Sequence, residues 1–517
     1  MRVVHDIPGH AGSTFRAALS FLLLAQVALA SVPAGPAPDE RMDGLRARLS
    51  APDKWTRVEA VEELARVGSA EAWELVIFAL ADSKGEVADT AQLALAALDE
   101  PKTLELLAQE PGLRSEEPLV RARVAELFGR LPSAPPAKWL ERALHDDEPE
   151  VRRMALWSLE RLARAGKLDE PRRKAVEGEL GHAARSERDA LGRARALAAL
   201  LAVRPAAAPA ALEAARRERD PLVRGAATAL LGAALPSEEA LARLAPLAGD
   251  PAVCVRRAAL EALGGIGTRA AVERLIARLG EEPEERLRLR ALELLHALSG
   301  LKHRRDPRPW TDWLSTLPAD WKAAPARPAP EEESAAEQTS ATLAGLPIVS
   351  KRVTILIDLS GSIWNRRADG RTRKQIVDEK LREALEGMPA DTRFNLIPYT
   401  GKPHPWKEAL VPATPARVRE AASWFEACKE SGSGNFWDAV LLALEDPAVD
   451  TLIVLFDGEP TGGTRHRLEL IVPLFLERNF ARRVALDLVL VDASRRLQRT
   501  WGELAQGTGG RLVSFSF

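Results

Sequence analysis

Val353-Thr-Ile-Leu-Ile-Asp358-Leu-Ser360-Gly-Ser362 is an apolar, β-branched run that stops abruptly at a carboxylate and two hydroxyls. Such a run cannot face water on both sides, so it reads as a central strand of a parallel sheet, covered on both faces. In an open α/β sheet the carboxyl ends of such strands are where ligands sit. An Asp and two Ser at alternate positions there offer hard oxygen atoms, the ligand type that suits Mg²⁺, Ca²⁺ or Mn²⁺.

A second strand ends the same way. Thr451-Leu-Ile-Val-Leu-Phe456 runs into Asp457-Gly458, followed by Glu459-Pro460-Thr461-Gly462-Gly463. Two buried strands, far apart in sequence, thus deliver oxygen ligands to one possible rim. With these two motifs the segment 346–517 resembles a von Willebrand factor A (VWA) domain, whose metal-ion-dependent adhesion site begins Asp-x-Ser-x-Ser. The resemblance implies that Ser360 and Ser362 coordinate a cation directly and that Asp358 and Asp457 hold it, partly through waters. It implies Mg²⁺, or else Mn²⁺ or Ca²⁺, as cofactor, and a protein partner whose Asp or Glu completes the coordination. The family's third loop normally carries Gly-Gly-Thr-Asn with Thr as a further ligand. Here the matching segment is Ser433-Gly434-Asn435, so Gly434 stands at the Thr position and Ser433 is the candidate accessory ligand. Trp364, Asn435 and Glu459 are the candidate partner-binding residues beside the rim.

Other segments fit an α/β doubly wound, Rossmann-like module. Val377, Leu381, Ala384, Leu385 and Met388 share one helical face over 372–388. Arg393-Phe-Asn-Leu-Ile-Pro-Tyr399 reads as a strand, with Pro398 placing its end near an edge or bulge. A buried strand over 484–491, a helix over 495–506 and a last strand over 511–515 complete an alternating order.

The first 300 residues differ. Ala, Leu, Arg and Glu dominate, a helical composition. An Arg preceded by an apolar residue, with a small apolar residue three positions later, recurs at Arg121, Arg152, Arg224, Arg256 and Arg288, with a weaker copy at Arg193. The spacing is 31 or 32 residues except for 41 before Arg193. Asp220-Pro221 and Asp250-Pro251 read as an N-cap followed by Pro at the first helical position. Helix pairs that cannot bury their stripes alone must stack, which makes a solenoid. The units resemble HEAT-type repeats of a short kind. Weaker copies near Arg57 and Val87 extend the all-α array over 41–305. The repeated Arg is expected to bond between adjacent turns rather than to line a ligand site. Trp310, Trp313 and Trp321 in 306–322 are expected to cap the last repeat. The Ala-, Pro-, Glu- and Ser-rich stretch 323–345 reads as an extended linker, leaving the modules semi-independent unless they dock.

Residues 1–30 read as an export signal: Arg2 and Arg16 precede an apolar stretch that ends Ala28-Leu29-Ala30. The expectation is an exported bacterial protein, periplasmic or extracellular, with no membrane span after cleavage. A net charge of −2 over the whole chain gives no reason to expect nucleic acid. The sequence has no His-Glu-x-x-His, no phosphate loop and no Gly-x-Ser-x-Gly elbow. Cys254 and Cys428, one per module, read as buried small hydrophobes. The arginines at 366, 367, 371 and 373, with Lys374, read as a solvated loop beside the rim. The leading expectation is therefore a binding or adhesion protein and not an enzyme. A metal-independent envelope scaffold is the alternative, followed by a metal-assisted hydrolase for which Glu459 is the candidate base.

Overall fold

The computed structural model describes residues 38–324 and 341–515. The export segment expected over 1–30 and most of the linker expected over 323–345 lie outside them.

Helices Lys54–Val67, Gly85–Ala96, Pro118–Phe128, Pro149–Arg164, Ala190–Val203, Pro221–Ala234, Val253–Ile266 and Glu285–Ser299 pack in sequence as one layer. A second set, from Ala70–Phe78 to Arg269–Glu281, alternates with it along the chain. Small residues such as Ala155, Ala196, Ala227 and Ala259 are fully buried and let neighbouring helices approach. The recurring Arg is structural. Arg57, Arg121, Arg152, Arg224 and Arg256 each donate to backbone carbonyls five and six residues earlier. Each then pairs with a carboxylate that opens the following unit: Asp82, Asp146, Glu187, Asp250 and Glu282 respectively. One side chain thus closes its own turn and ties it to the next.

Asp220 caps its helix as expected, accepting from Leu222 N at 2.8 Å with Pro221 in the first turn. Asp250 does not. That helix starts at Val253 with Ala252 as N-cap, because the Asp250 carboxylate is taken up by Arg224 and by Ala252 N. Gly267 ends the helix in a left-handed conformation, and Thr268 caps the next, where Val272, Leu275, Ile276 and Leu279 are buried. Trp310 is fully buried, with Trp313 edge-on to it and Trp321 edge-on to Trp313. The helix that carries Trp310 and Trp313, Pro307–Ser315, packs on Arg269–Glu281.

The C-terminal module opens with a short hairpin, β1 (Thr342–Leu343) and β2 (Leu346–Pro347). Then follow β3 (Arg352–Asp358), β4 (Arg393–Tyr399), β5 (Val411–Pro412), β6 (Thr451–Phe456), β7 (Ala485–Val491) and β8 (Leu512–Phe515). They form one sheet in the order β5-β4-β3-β6-β7-β8, parallel except at the β5 edge. Side chains alternate between two apolar layers. Val353, Ile355 and Ile357 face helices Arg373–Glu386 and Pro415–Ala427. Leu356, Leu452, Val454 and Phe456 face helices Phe436–Ala443, Leu468–Asn479 and Arg495–Gly507. The chain runs outward from β3 to β4 and then returns to β6 on the other side. The switch point therefore lies between β3 and β6, where ligands bind in such sheets.

The modules are docked, and the apolar cluster beneath the sheet continues into the repeats. A second row of arginines, on the layer that faces the sheet module, ties the seam. Arg123 donates to Thr464 O at 2.9 Å, Arg153 pairs with Glu477 at 3.1 Å, and Arg195 donates to Glu477 O at 3.0 Å. Further along, Arg286 pairs with Asp487 and Arg257 donates to Thr508 O. At the other end Asp89, fully buried, meets Arg123 from its own module and Arg465 with the amides of His466 and Arg467 from the other.

Candidate metal centre at the strand-end rim

β3 ends at Asp358 and β6 ends one residue before Asp457, in register, so both carboxylates reach the same end of the sheet. They line one small cleft of about 10 Å³ together with Ile363, Arg373, Leu455, Phe456 and Val491. That is room for about one water-sized sphere. Asp358 turns back on its own loop and accepts from Ser360 N at 2.7 Å. The loop then enters a short helical turn, Gly361–Trp364, which carries Ser362 Oγ to 3.3 Å from Ser360 Oγ. Both serines are half-buried. Burial and the charge of Asp457 push the Asp358 carboxyl up to about 6, against the hydrogen bonds from Ser360.

The third loop reaches the same place by backbone. Ser360 and Gly432 form a parallel bridge, and Gly361 N donates to Gly432 O at 3.2 Å. Gly434 closes directly on Asp358: a β-carbon there would lie 2.7 Å from Asp358 Oδ2. Any side chain at Gly434 would thus require the Asp358 carboxylate to shift. The Ser433 hydroxyl lies against Gly462, so its contact is with the loop after β6. That loop supplies a hydroxyl the sequence reading did not single out. Thr461 Oγ1 accepts from Gly434 N at 2.7 Å, beside the carboxylate that Gly434 touches.

The residues expected to touch a partner divide. Glu459 is exposed and pairs with Arg496 at 3.1 Å. Trp364 is half-buried against the apolar layer, and its buried indole nitrogen has no partner among the described residues. Asn435 is a correction. It is buried, caps Phe436–Ala443, and donates to Gly401 O and Asp438, so its amide is spent on holding the loop. The basic cluster is a second correction. Lys374 is buried, bonded to Phe425 O and Asp378 with its ammonium 4.2 Å from the Phe425 ring centroid. Arg373, read as part of the same solvated loop, instead stands 3.6 Å from Asp457 and 3.0 Å from Asp492.

Among the described residues no three His, Cys, Asp or Glu converge to hold a metal. A cation at the rim would need the serine hydroxyls and water to complete its shell. The donor set is hard oxygen throughout, and two carboxylates face one cleft. The fully buried Tyr399 hydroxyl nearby has no hydrogen-bond partner among the described residues, and burial with the charges of Asp358 and Asp457 raises it well above the phenol range. Such an excess of negative charge fits a small divalent ion. Arg373 supplies part of the same neutralisation.

The model for "HEAT repeats" matches residues 42–109 and 208–296, and that for "HEAT repeat" matches 140–165, so the chain carries HEAT repeats. The chain is also similar, over part of its length, to inter-alpha-trypsin inhibitor heavy chains. Identity is 32% over 130 residues to heavy chain 4 of Mus musculus and 32% over 131 residues to heavy chain H3 of Bos taurus. Each match covers 23% of this chain and only 13 or 14% of the relative's length. Solved structures that this chain matches include the complex of CpcE and CpcF of phycocyanin lyase from Nostoc sp. PCC7120. It has 22% identity, covers 56% of this chain and 100% of that one, and gives a TM-score of 0.28. Kap121p bound to Pho4p gives 12% identity over 50% of this chain and 33% of that one, with a TM-score of 0.37. At scores this low neither superposition bears on function.

Proposed function

We propose that this is a protein-binding molecule whose sheet module is a VWA domain, taking a divalent cation between Asp358, Ser360, Ser362 and Asp457. A cation held largely by neutral hydroxyls stays electrophilic and leaves a position for an acidic side chain of a protein partner. The observation that carries the reading is the convergence of Asp358 and Asp457 on one cleft at the switch point, with two serine hydroxyls side by side. The likeness to inter-alpha-trypsin inhibitor heavy chains, which contain VWA domains, supports it. The HEAT layer would add recognition surface, since a single metal contact to a partner is weak without surrounding area. Export, with the envelope or the medium as the place of action, belongs to the same reading and rests on residues 1–30.

Calorimetric titration of Mg²⁺ and Mn²⁺ into the full chain tests it. Saturable binding that Asp358→Ala abolishes is the expected result; no binding by the unaltered protein overturns it. The scaffold reading is favoured by one observation, the Arg373 guanidinium beside Asp457, which serves as a built-in counter-charge. Glu459, the candidate base of a hydrolase, is engaged by Arg496, so binding is proposed rather than catalysis.

A further inference from the structure

At the seam between the repeats and the sheet module lies a cavity of about 490 Å³, within the roughly 300–1,000 Å³ typical of small-molecule sites. Its walls come from both modules. Arg257, Arg286, Arg352, Arg482 and Arg483 line it, against the two carboxylates Asp220 and Asp450. Both carboxylates are already engaged: Asp220 caps its helix, and Asp450 holds Ser350 and Arg352.

Arg352 also pairs with Glu284, and Arg290, behind the wall, with Glu293. Glu261 is shared by Arg257, Arg290 and Arg483, and Asp487 by Arg286 and Arg511. Arg482 donates to the carbonyls of Leu444 and Asp446 and has no ion pair among the described residues. Arg286 is 4% exposed, and its Nη1 is buried without a hydrogen-bond partner, as is Nε of Arg483. These two atoms are sealed in the wall, so the cationic group that opens on the cavity without a carboxylate is Arg482, which is half-buried. Helix Val253–Ile266 also starts at the cavity lining, where the Asp250 carboxylate accepts from Ala252 N. The rest of the lining is apolar, including Leu222, Val253, Leu287, Pro447 and Val449.

We propose that this cavity binds a small organic anion, one or two carboxylate or phosphate groups on an apolar frame. The guanidinium groups of Arg482 and Arg483, both half-buried, take the charged end, and Leu222, Val253 and Val449 cover the frame. Because both modules line the cavity, the anion strengthens their docking by binding only the docked form. The site is independent of the rim and of any metal there.

The test is calorimetric titration of the full chain with phenyl phosphate and, separately, with isophthalate. Saturable binding of one anion per chain is expected, and whichever anion binds more tightly identifies the charged group. Arg482→Gln removes the unpaired cation. Ala448→Glu adds a carboxylate at an exposed position of the lining and leaves the core untouched. Each is expected to weaken binding about tenfold or more, the effect of losing or opposing one charge-assisted hydrogen bond. The thermal midpoint of the unaltered protein should rise with added anion. Should Arg482→Gln fail to fold, Ala448→Glu carries the test alone. Absence of saturable binding by both anions at millimolar concentration overturns the proposal. So does binding that Ala448→Glu leaves unchanged.

Discussion

At the scale of single residues, Gly434 and Arg373 decide what the rim can do. A β-carbon at Gly434 would push on the Asp358 carboxylate, 2.7 Å away. Gly434→Ala is expected to destabilise the protein by about 1–3 kcal/mol, the usual cost of overpacking, measured by denaturant unfolding. Arg373 stands 3.6 Å from Asp457 and repels any cation placed there. Arg373→Gln is expected to tighten Mg²⁺ binding several-fold by calorimetry; unchanged affinity would mean the guanidinium does not compete for the site. Neither effect was legible beforehand. Asp358, Ser360, Ser362 and Asp457 could be picked out because strand pattern and oxygen chemistry coincide in a few consecutive residues. Thr461 and Arg373 reach the rim only through the closure of loops, and Lys374, one position from Arg373, turns the other way into the core. A run of basic residues carries no sign of which one bends inward.

At the scale of elements, the repeat helices carry two rows of arginine that do different work. The row at Arg121, Arg152, Arg224 and Arg256 follows a fixed offset from a helix start, so its structural role could be read from periodicity. The row at Arg123, Arg153, Arg195 and Arg257 sits one or two positions further on, and nothing local distinguishes it from a solvated face. Its partners across the seam are hundreds of residues away in sequence. The strands were more legible, since Arg393–Tyr399 and Thr451–Phe456 are apolar runs bounded by polar residues. The Asp89 cluster gives the sharpest test of the docking row. Burial alone would push this carboxyl up, but His466, Arg465 and Arg123 together hold it well below the ordinary range. Asp89→Ala leaves two buried guanidinium groups facing each other. A loss of about 3–5 kcal/mol is expected, as for breaking a buried ion pair from one side, read from denaturant midpoints with the slope held constant.

At the scale of the whole molecule, the shared apolar cluster and the arginine seam make one folding unit of two architectures. Calorimetry of the full chain is expected to give a single unfolding transition, and two separable transitions would contradict the docked arrangement. Acid should loosen the seam. Burial raises the carboxyl of Glu261, yet Arg483, Arg257 and Arg290 outweigh it and bring it down to about 2. Asp89 and Glu126 are lowered as well. A carboxylate depressed on folding stabilises at pH above its ordinary value, and that stability is lost as pH falls through the folded one. Stability should therefore hold down to about pH 4.5 and decline towards pH 2, followed by urea midpoints across that interval. The linker-like composition of 323–345 pointed to loosely tethered modules, because composition reports on a segment and says nothing of whether its neighbours fit.

The contact between Gly85 and Gly463 has a mechanical consequence. Gly85 N donates to Gly463 O at 3.1 Å, and a β-carbon on Gly85 would come within 2.5 Å of that oxygen. The backbone leaving Asp457 therefore rests on the second helix of the inner layer only a few residues beyond the rim. Tension applied by anything gripping that end of the sheet enters the helical stack there and spreads along the length of Leu468–Asn479. The load is then shared sideways by the hydrogen bonds and ion pairs of the seam.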